Sequence, residues 1–378
     1  MAKLKRLING FIPVSACNFR CQYCYLSHGP DKRVGRMPHF KYSAEYMGKC
    51  FSMERMGGAC LFNLCGDGET LLPKEIPSLM LELLKQGHYI ELVTNGTITE
   101  RFREIVGFPE ELRRRIEFKF SFHYLQLKQH DLMEVFFDNI ATVRKAGCSV
   151  TVELVPHDEL EPYIPEIKQL CMERLHTLCQ LTIPRDETSA GNDILTKHSK
   201  QEFYDIWRSF DSPMFEFKYK MFNVRRREFC YAGLWSLFVN METGDAWQCY
   251  ATYPKQNIYA EPEKPITLIP VGHHCRLPHC HNAHALLSLG DIPELRCPET
   301  YADIRDRQCL DGTSFLTPEM RETLRSKFYD NSPELSEAEK RAAENFYRRN
   351  LPKRFCHDLV TLGGRAWRKL RRTVIPQK

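Results

Sequence analysis

Apolar positions in the first half of the chain follow two alternating rhythms. Short runs with strand character cover Arg6–Val14, Cys60–Leu64, Ile90–Thr94, Glu117–Phe122, Ser149–Val155 and Gln180–Ile183. Between them, apolar residues recur at helical spacing over Ala44–Met56, Pro73–Gln86, Thr99–Val106, Met133–Ala146 and Ile164–Leu175. Strand and helix in turn predict an α/β fold with a parallel sheet and crossover helices. Six such units make a partial (β/α)6 barrel and are too few for a closed eightfold one. From 216 to 300 the helical period fades, and His, Cys, Pro and aromatics crowd into short segments. From 301 the chain turns helical and charged, and Ser336 with Glu339 forms a capping box opening a helix through about Arg349. The expected division is therefore a barrel over 1–215, a small cysteine-rich domain over 216–300, and a helical extension over 301–378 with a basic tail.

Composition alters this picture at one point. The chain holds 16 cysteines, and the start of the sequence shows no secretory signal. A cytoplasmic setting follows, in which clustered cysteines serve as metal ligands or catalytic groups more often than as disulfides. The net charge of +5 is mild and gives no argument for nucleic acid. No apolar run reaches transmembrane length.

Directly after the first strand stand Cys17, Cys21 and Cys24, with Tyr23 before the last of them. Three thiolates this close can hold three irons of one cubane and leave the fourth open to a ligand. After the second strand comes Cys65-Gly66-Asp67-Gly68-Glu69-Thr70, whose glycines allow a ligand close to the backbone and whose Glu69 can accept from an ammonium group. The third strand ends in Thr94-Asn95-Gly96, and the fourth in Ser121-Phe122-His123, where alternation puts Ser121 and His123 on one face. Glu153 on the fifth strand and Arg185 after the sixth complete the candidates. Either of those two also reads as a structural ion pair.

The C-x3-C-x2-C loop after the first strand resembles the radical S-adenosylmethionine (SAM) superfamily. The turn at Gly66–Glu69 is similar to that family's Gly-Gly-Glu-Pro motif, although Asp67 is inserted and Thr70 replaces the proline. The resemblance implies a [4Fe-4S] cluster on Cys17, Cys21 and Cys24. It implies SAM chelated to the open iron, Tyr23 near its adenine, and Gly66, Asp67, Gly68 and Glu69 near its amino group. Asn95, Ser121, His123, Glu153 and Arg185 are then candidate contacts to the rest of the cofactor. A zinc site or buried free thiols are the alternatives for the three cysteines.

A second set consists of Cys230, Cys249, Cys275 and Cys280, with Gly244 between the first two. Its C-x13-G-x4-C opening resembles the SPASM and Twitch auxiliary-cluster domains, the shorter Twitch type fitting better. The resemblance implies a second [4Fe-4S] cluster. A zinc site using Cys275, Cys280 and some of His273, His274, His279, His281 and His284 is the rival.

A radical SAM enzyme abstracts a hydrogen from its substrate through a 5′-deoxyadenosyl radical and draws electrons from an external donor such as flavodoxin or ferredoxin. With an auxiliary cluster the expected outcome is oxidation or epimerisation of a carbohydrate-type or other alcohol. Cys65, at a strand end, is the candidate hydrogen donor; a small core residue is the alternative. The other readings are maturation of a ribosomal peptide or protein, which only sixteen residues before Cys17 disfavour, and a non-catalytic iron–sulfur or zinc protein. The tail from Arg365 to Ile375 sets Trp367, Leu370 and Val374 at helical spacing among basic residues. It suits peripheral contact with an anionic membrane or a sugar-carrier conjugate, or a solvated terminal helix.

Overall fold

The computed structural model describes residues 3–24, 35–186, 188, 189, 191, 193–250 and 256–350. Six parallel strands arise where the short apolar runs stand: β1 (Arg6–Ile12), β2 (Cys60–Gly66), β3 (Tyr89–Thr94), β4 (Ile116–Ser121), β5 (Ser149–Leu154) and β6 (Gln180–Leu181). The crossover helices lie close to their expected bounds, with one exception. The run expected as a single helix from Ala44 to Met56 is two, Ala44–Cys50 and Met53–Met56. Ser52 breaks it because its side chain accepts from the Arg55 amide and starts a new N-terminus.

β7 (Ser236–Asn240) pairs in parallel with β1, and β8 (Asp245–Trp247) and β9 (Gln256–Asn257) follow antiparallel. The sheet order is β6-β5-β4-β3-β2-β1-β7-β8-β9. The hairpin after Cys230 therefore continues the barrel's own sheet, and the helix Pro213–Met221 runs across the expected boundary at 215. Beyond it, Ser336 caps the helix over 337–350: the Ser336 amide donates to Glu339 at 2.8 Å, and the Glu339 amide donates to Ser336 Oγ at 3.4 Å. The tail from Arg365 to Ile375 lies outside the described residues. Among the described residues no helix is long and apolar enough to cross a membrane.

Register sorts the side chains into two environments. On the outer face Phe118, Phe120 and Phe122 are buried under helices and meet Phe102 and Phe136 at centroid distances of 5.3–5.8 Å. On the inner face the pairs Asn9–Asn63, Asn63–Glu91 and Glu91–Glu117 form a polar row, with Cys65, Lys119 and Thr151 in the next. A short helix from the C-terminal region, Tyr301–Arg305, closes this interior. The Tyr301 hydroxyl donates to Glu91 at 2.6 Å. The fully buried Arg305 pairs with Glu117 at 2.7 Å and with Glu153. Lys119 completes the set, 3.1 Å from Glu91 and 3.6 Å from Glu153. The floor is thus an ionic layer of three carboxylates and two cations, and the space above it opens at the C-terminal ends of the strands.

Candidate active site

The loop after β1 brings Cys17, Cys21 and Cys24 to the wall of a cavity of about 400 Å³. Local bonds shape it: the Phe19 amide donates to Cys17 Sγ at 3.4 Å, and the Cys24 amide donates to the Cys21 carbonyl at 3.3 Å. Asn95 braces it from the neighbouring strand end. Its Nδ2 donates to Asn18 Oδ1 at 2.7 Å, its Oδ1 accepts from the Thr97 hydroxyl at 2.7 Å, and Asn18 Nδ2 donates to Thr97 Oγ1 at 2.9 Å. Three thiols on one cavity wall suit a cubane with one open iron.

The Gly66–Glu69 turn is wedged against that loop. The Gly68 amide donates to the Val14 carbonyl at 2.6 Å and the Glu69 amide to the Ala16 carbonyl at 3.0 Å. A Cβ on Gly68 would sit 2.0 Å from the Ala16 oxygen, so no other residue fits. Glu69 is 2 % exposed and mostly committed. Its carboxylate accepts from the Leu71 amide at 2.9 Å, the Thr94 hydroxyl at 2.7 Å and the Asn95 amide at 2.7 Å. It ties the β2 and β3 loops together and keeps little acceptor capacity for an ammonium group. Burial raises its pKa, which those three donors oppose.

Tyr23, Cys65, Asp67, Ser121, His123 and Arg185 line the same cavity. The Tyr23 hydroxyl lies 2.5 Å from His123 Nδ1, and the Tyr23 ring packs on His157 at 4.5 Å. Burial pulls His123 down to about 4, so the imidazole is neutral. Burial also pushes the Cys65 thiol up to about 12, keeping it as S–H. Glu153 stands apart from the expected cofactor contacts. It is absent from the cavity wall, and its carboxylate is taken by Arg305 and Lys119. Against the burial penalty these cations, with Lys218 nearby, hold it down to about 2. The ion-pair alternative describes it.

Three residues not singled out for the SAM site border this cavity: Lys218 and His284 on its wall and His157 behind Tyr23. His284 is also among the possible zinc ligands of the second cysteine set. Lys218 lies on the helix Pro213–Met221 among aromatics and charges, a pattern that reads as a solvated helix face.

The second cysteine set also converges. Burial raises the Cys230 thiol, with Asp291, Cys249 and Cys280 adding to the effect. Burial raises Cys280 too, with Cys249 and Cys275 as charge neighbours. Cys230 and Gly272 exchange backbone hydrogen bonds at 2.9 and 3.2 Å, which brings the loop carrying Cys275 and Cys280 beside the hairpin. His273 is engaged with the Arg227 carbonyl at 2.8 Å, and His274 lies 2.7 Å from Glu344. Cys280 lines the cavity shared with Cys17, Cys21 and Cys24.

Residues 11–171 match the family described as the radical SAM superfamily. A probable GTP 3′,8-cyclase of Pyrobaculum aerophilum is 29% identical over 102 residues, covering 27% of this chain and 29% of that one. SuiB of Streptococcus suis is similar over 68% of this chain and 64% of its own, with 12% identity and a TM-score of 0.45. BtrN in complex with AdoMet and 2-DOIA is similar over 88% of this chain and 92% of its own, with 14% identity and a TM-score of 0.35. The matched part is under a third of the curated relative's length and under two thirds of SuiB. With its cysteine loop, glycine turn and strand-end cavity, the segment 11–171 of this chain matches the radical SAM superfamily.

Proposed function

We propose that the chain cleaves SAM reductively and removes a hydrogen from a carbohydrate-type or other alcohol substrate, with oxidation or epimerisation as the outcome. The observation that supports this reading is a single cavity bordered by both cysteine sets, through Cys17, Cys21 and Cys24 on one wall and Cys280 on another. When bound to the first set, the cluster and SAM supply a 5′-deoxyadenosyl radical. Cys230, Cys249, Cys275 and Cys280 are the ligands we assign to a second [4Fe-4S] cluster, which would accept an electron in an oxidation. In this reading the rigid frame of Gly68, Glu69 and Asn95 fixes the loop, and Tyr23 with neutral His123 borders the cofactor. Cys65 stands ready as S–H, the form a hydrogen-atom donor needs. The external electron donor is of the flavodoxin or ferredoxin type.

The test is anaerobic reconstitution followed by reduction. Iron near eight per chain, 5′-deoxyadenosine on adding dithionite, and deuterium passing from a labelled sugar alcohol into it are the expected results, with about four irons per cubane. Zinc at the second set, or deuterium transfer only from a peptide, sinks the proposal. Cys65→Ala separates the outcomes: an epimerase loses its product, whereas an oxidase keeps it.

A further inference from the structure

The cavity has an uneven distribution of charge. Its acidic residues, Asp67 and Glu69, both belong to the turn after β2. The wall built after β6 carries Arg185, Lys218 and His284 and no carboxylate. Deeper in the barrel every cation is matched, Lys119 by Glu91 and Glu153, and Arg305 by Glu117 and Glu153. Lys218 is different. Its Nζ donates to the hydroxyl of Thr182, a neutral partner, and it forms no ion pair among the described residues. His284 is 8 % exposed, and both its ring nitrogens are buried without a hydrogen-bond partner. Leaving a buried polar atom unpaired is destabilising, so such a group facing a cavity points to a ligand that completes it.

The geometry points to an anion-binding subsite formed by Lys218, His284 and Arg185, which holds a carboxylate or phosphate group of the substrate. The inference rests on the SAM-dependent reading above and narrows its substrate class to an acidic one, such as a sugar acid or a sugar phosphate. An anion there accepts hydrogen bonds from the Lys218 amine and the His284 ring and from the Arg185 guanidinium. The polar groups around Lys218 are Glu153 from β5, Lys119 from β4, Arg305 from the closing helix and Arg185 after β6. Without an anion, burial pulls Lys218 down to about 7, with the three cations adding to the effect and Glu153 opposing it. Burial and the same cations keep His284 neutral. A bound anion reverses this balance and favours the charged forms. Binding near pH 8 therefore takes up protons, and affinity falls as pH rises further.

SAM brings a carboxylate of its own, so the test has two arms. Cluster-reconstituted protein loaded with SAM, without reductant, is titrated calorimetrically with inorganic phosphate and with acetate in buffers of different ionisation enthalpy. We expect binding with uptake of about one proton at pH 8, weakened at least tenfold (about 1.4 kcal/mol) in Lys218→Met. Lys218→Arg keeps the binding and loses most of the uptake. Absence of binding, or equal binding by Lys218→Met, overturns the inference. The second arm titrates SAM alone into the same variants. Unchanged SAM affinity assigns the subsite to the substrate and shows that Lys218→Met is folded. A tenfold loss assigns it to the SAM carboxylate and overturns the inference. The parent reading fails separately: phosphate binding that persists while dithionite yields no 5′-deoxyadenosine keeps the subsite and removes the reaction.

Discussion

Gly68→Ala is the smallest change that separates the turn from the cysteine loop. The added methyl would meet the Ala16 oxygen at 2.0 Å and the carbonyl carbon at 2.7 Å. Carbon needs about 3.5 Å to such neighbours, so turn and loop must part by roughly 1.5 Å. Both are backbone, and neither can rotate away. Parting breaks the Gly68–Val14 and Glu69–Ala16 hydrogen bonds, worth about 1 kcal/mol each, and adds overpacking strain of about 1–3 kcal/mol. The expected loss of stability is therefore about 3–5 kcal/mol. A reacting group misplaced by about 1 Å loses roughly a hundredfold in rate, so 5′-deoxyadenosine formation should fall at least that far. Urea melts and single-turnover SAM cleavage at matched iron content measure the two effects. Gly147→Ala is the control: its φ is +85°, and a Cβ there meets nothing within 4 Å. It should lose about 1–2 kcal/mol and keep SAM cleavage. Cleavage by Gly68→Ala within threefold of the parent chain would refute the reasoning.

Other residues allow sharper single readouts. Arg305→Met leaves the buried Glu117 without its cation and Glu153 with Lys119 alone, and should cost about 3–5 kcal/mol, with part regained in the double variant that adds Glu117→Gln; denaturant melts of the two test this. Glu69→Gln turns one acceptor into a donor against the Asn95, Leu71 or Thr94 donors, and should cost about 2 kcal/mol and weaken SAM binding measured by calorimetry. Burial pulls His88 down to about 4 from 6.5. The unfolded chain then binds more protons between pH 6.5 and 4, so stability falls with falling pH, by at most about 1.4 kcal/mol per pH unit from this residue. Melts at pH 7, 6 and 5 should show a shallower slope in His88→Gln, and an identical slope would count against this account.

The parts legible in the sequence were those whose logic is local. Cys17, Cys21 and Cys24 lie within one loop, and their spacing reports their use. The strands showed because their outer faces must be apolar to pack under helices. The inner face is not legible in the same way. Glu117 and Lys119 alternate with Phe118 and Phe120, which reads as a sheet with one wet side, yet Glu117 is 0 % and Lys119 7 % exposed. Only a partner from 188 residues away, Arg305, makes that burial tolerable, and nothing near β4 announces it. Glu153 looked like a cofactor ligand because its ion-pair partners are distant in sequence. Lys218 escapes for a related reason, and His284 is legible only as a possible zinc ligand: each reaches the cavity from a helix whose own pattern gives no sign of this site. Glu69 is legible from its motif, but its three donors come from two strand ends, so its bracing role shows only in the folded chain.

The closing helix Tyr301–Arg305 also bears on how the protein is made. Strands β1–β6 are complete by Leu181, yet their interior carries Glu91, Glu117 and Glu153 with Lys119 as the one cation those strands supply. On the ribosome the barrel would have to desolvate this surplus of negative charge before its counterion is synthesised, a cost of several kcal/mol per ion. The nascent chain is therefore expected to wait, with its strand edges open, for more than a hundred further residues. At about 5–20 residues per second, that wait lasts roughly 6–25 s. It leaves an interval in which a chaperone can hold the nascent barrel before the cysteine loop settles.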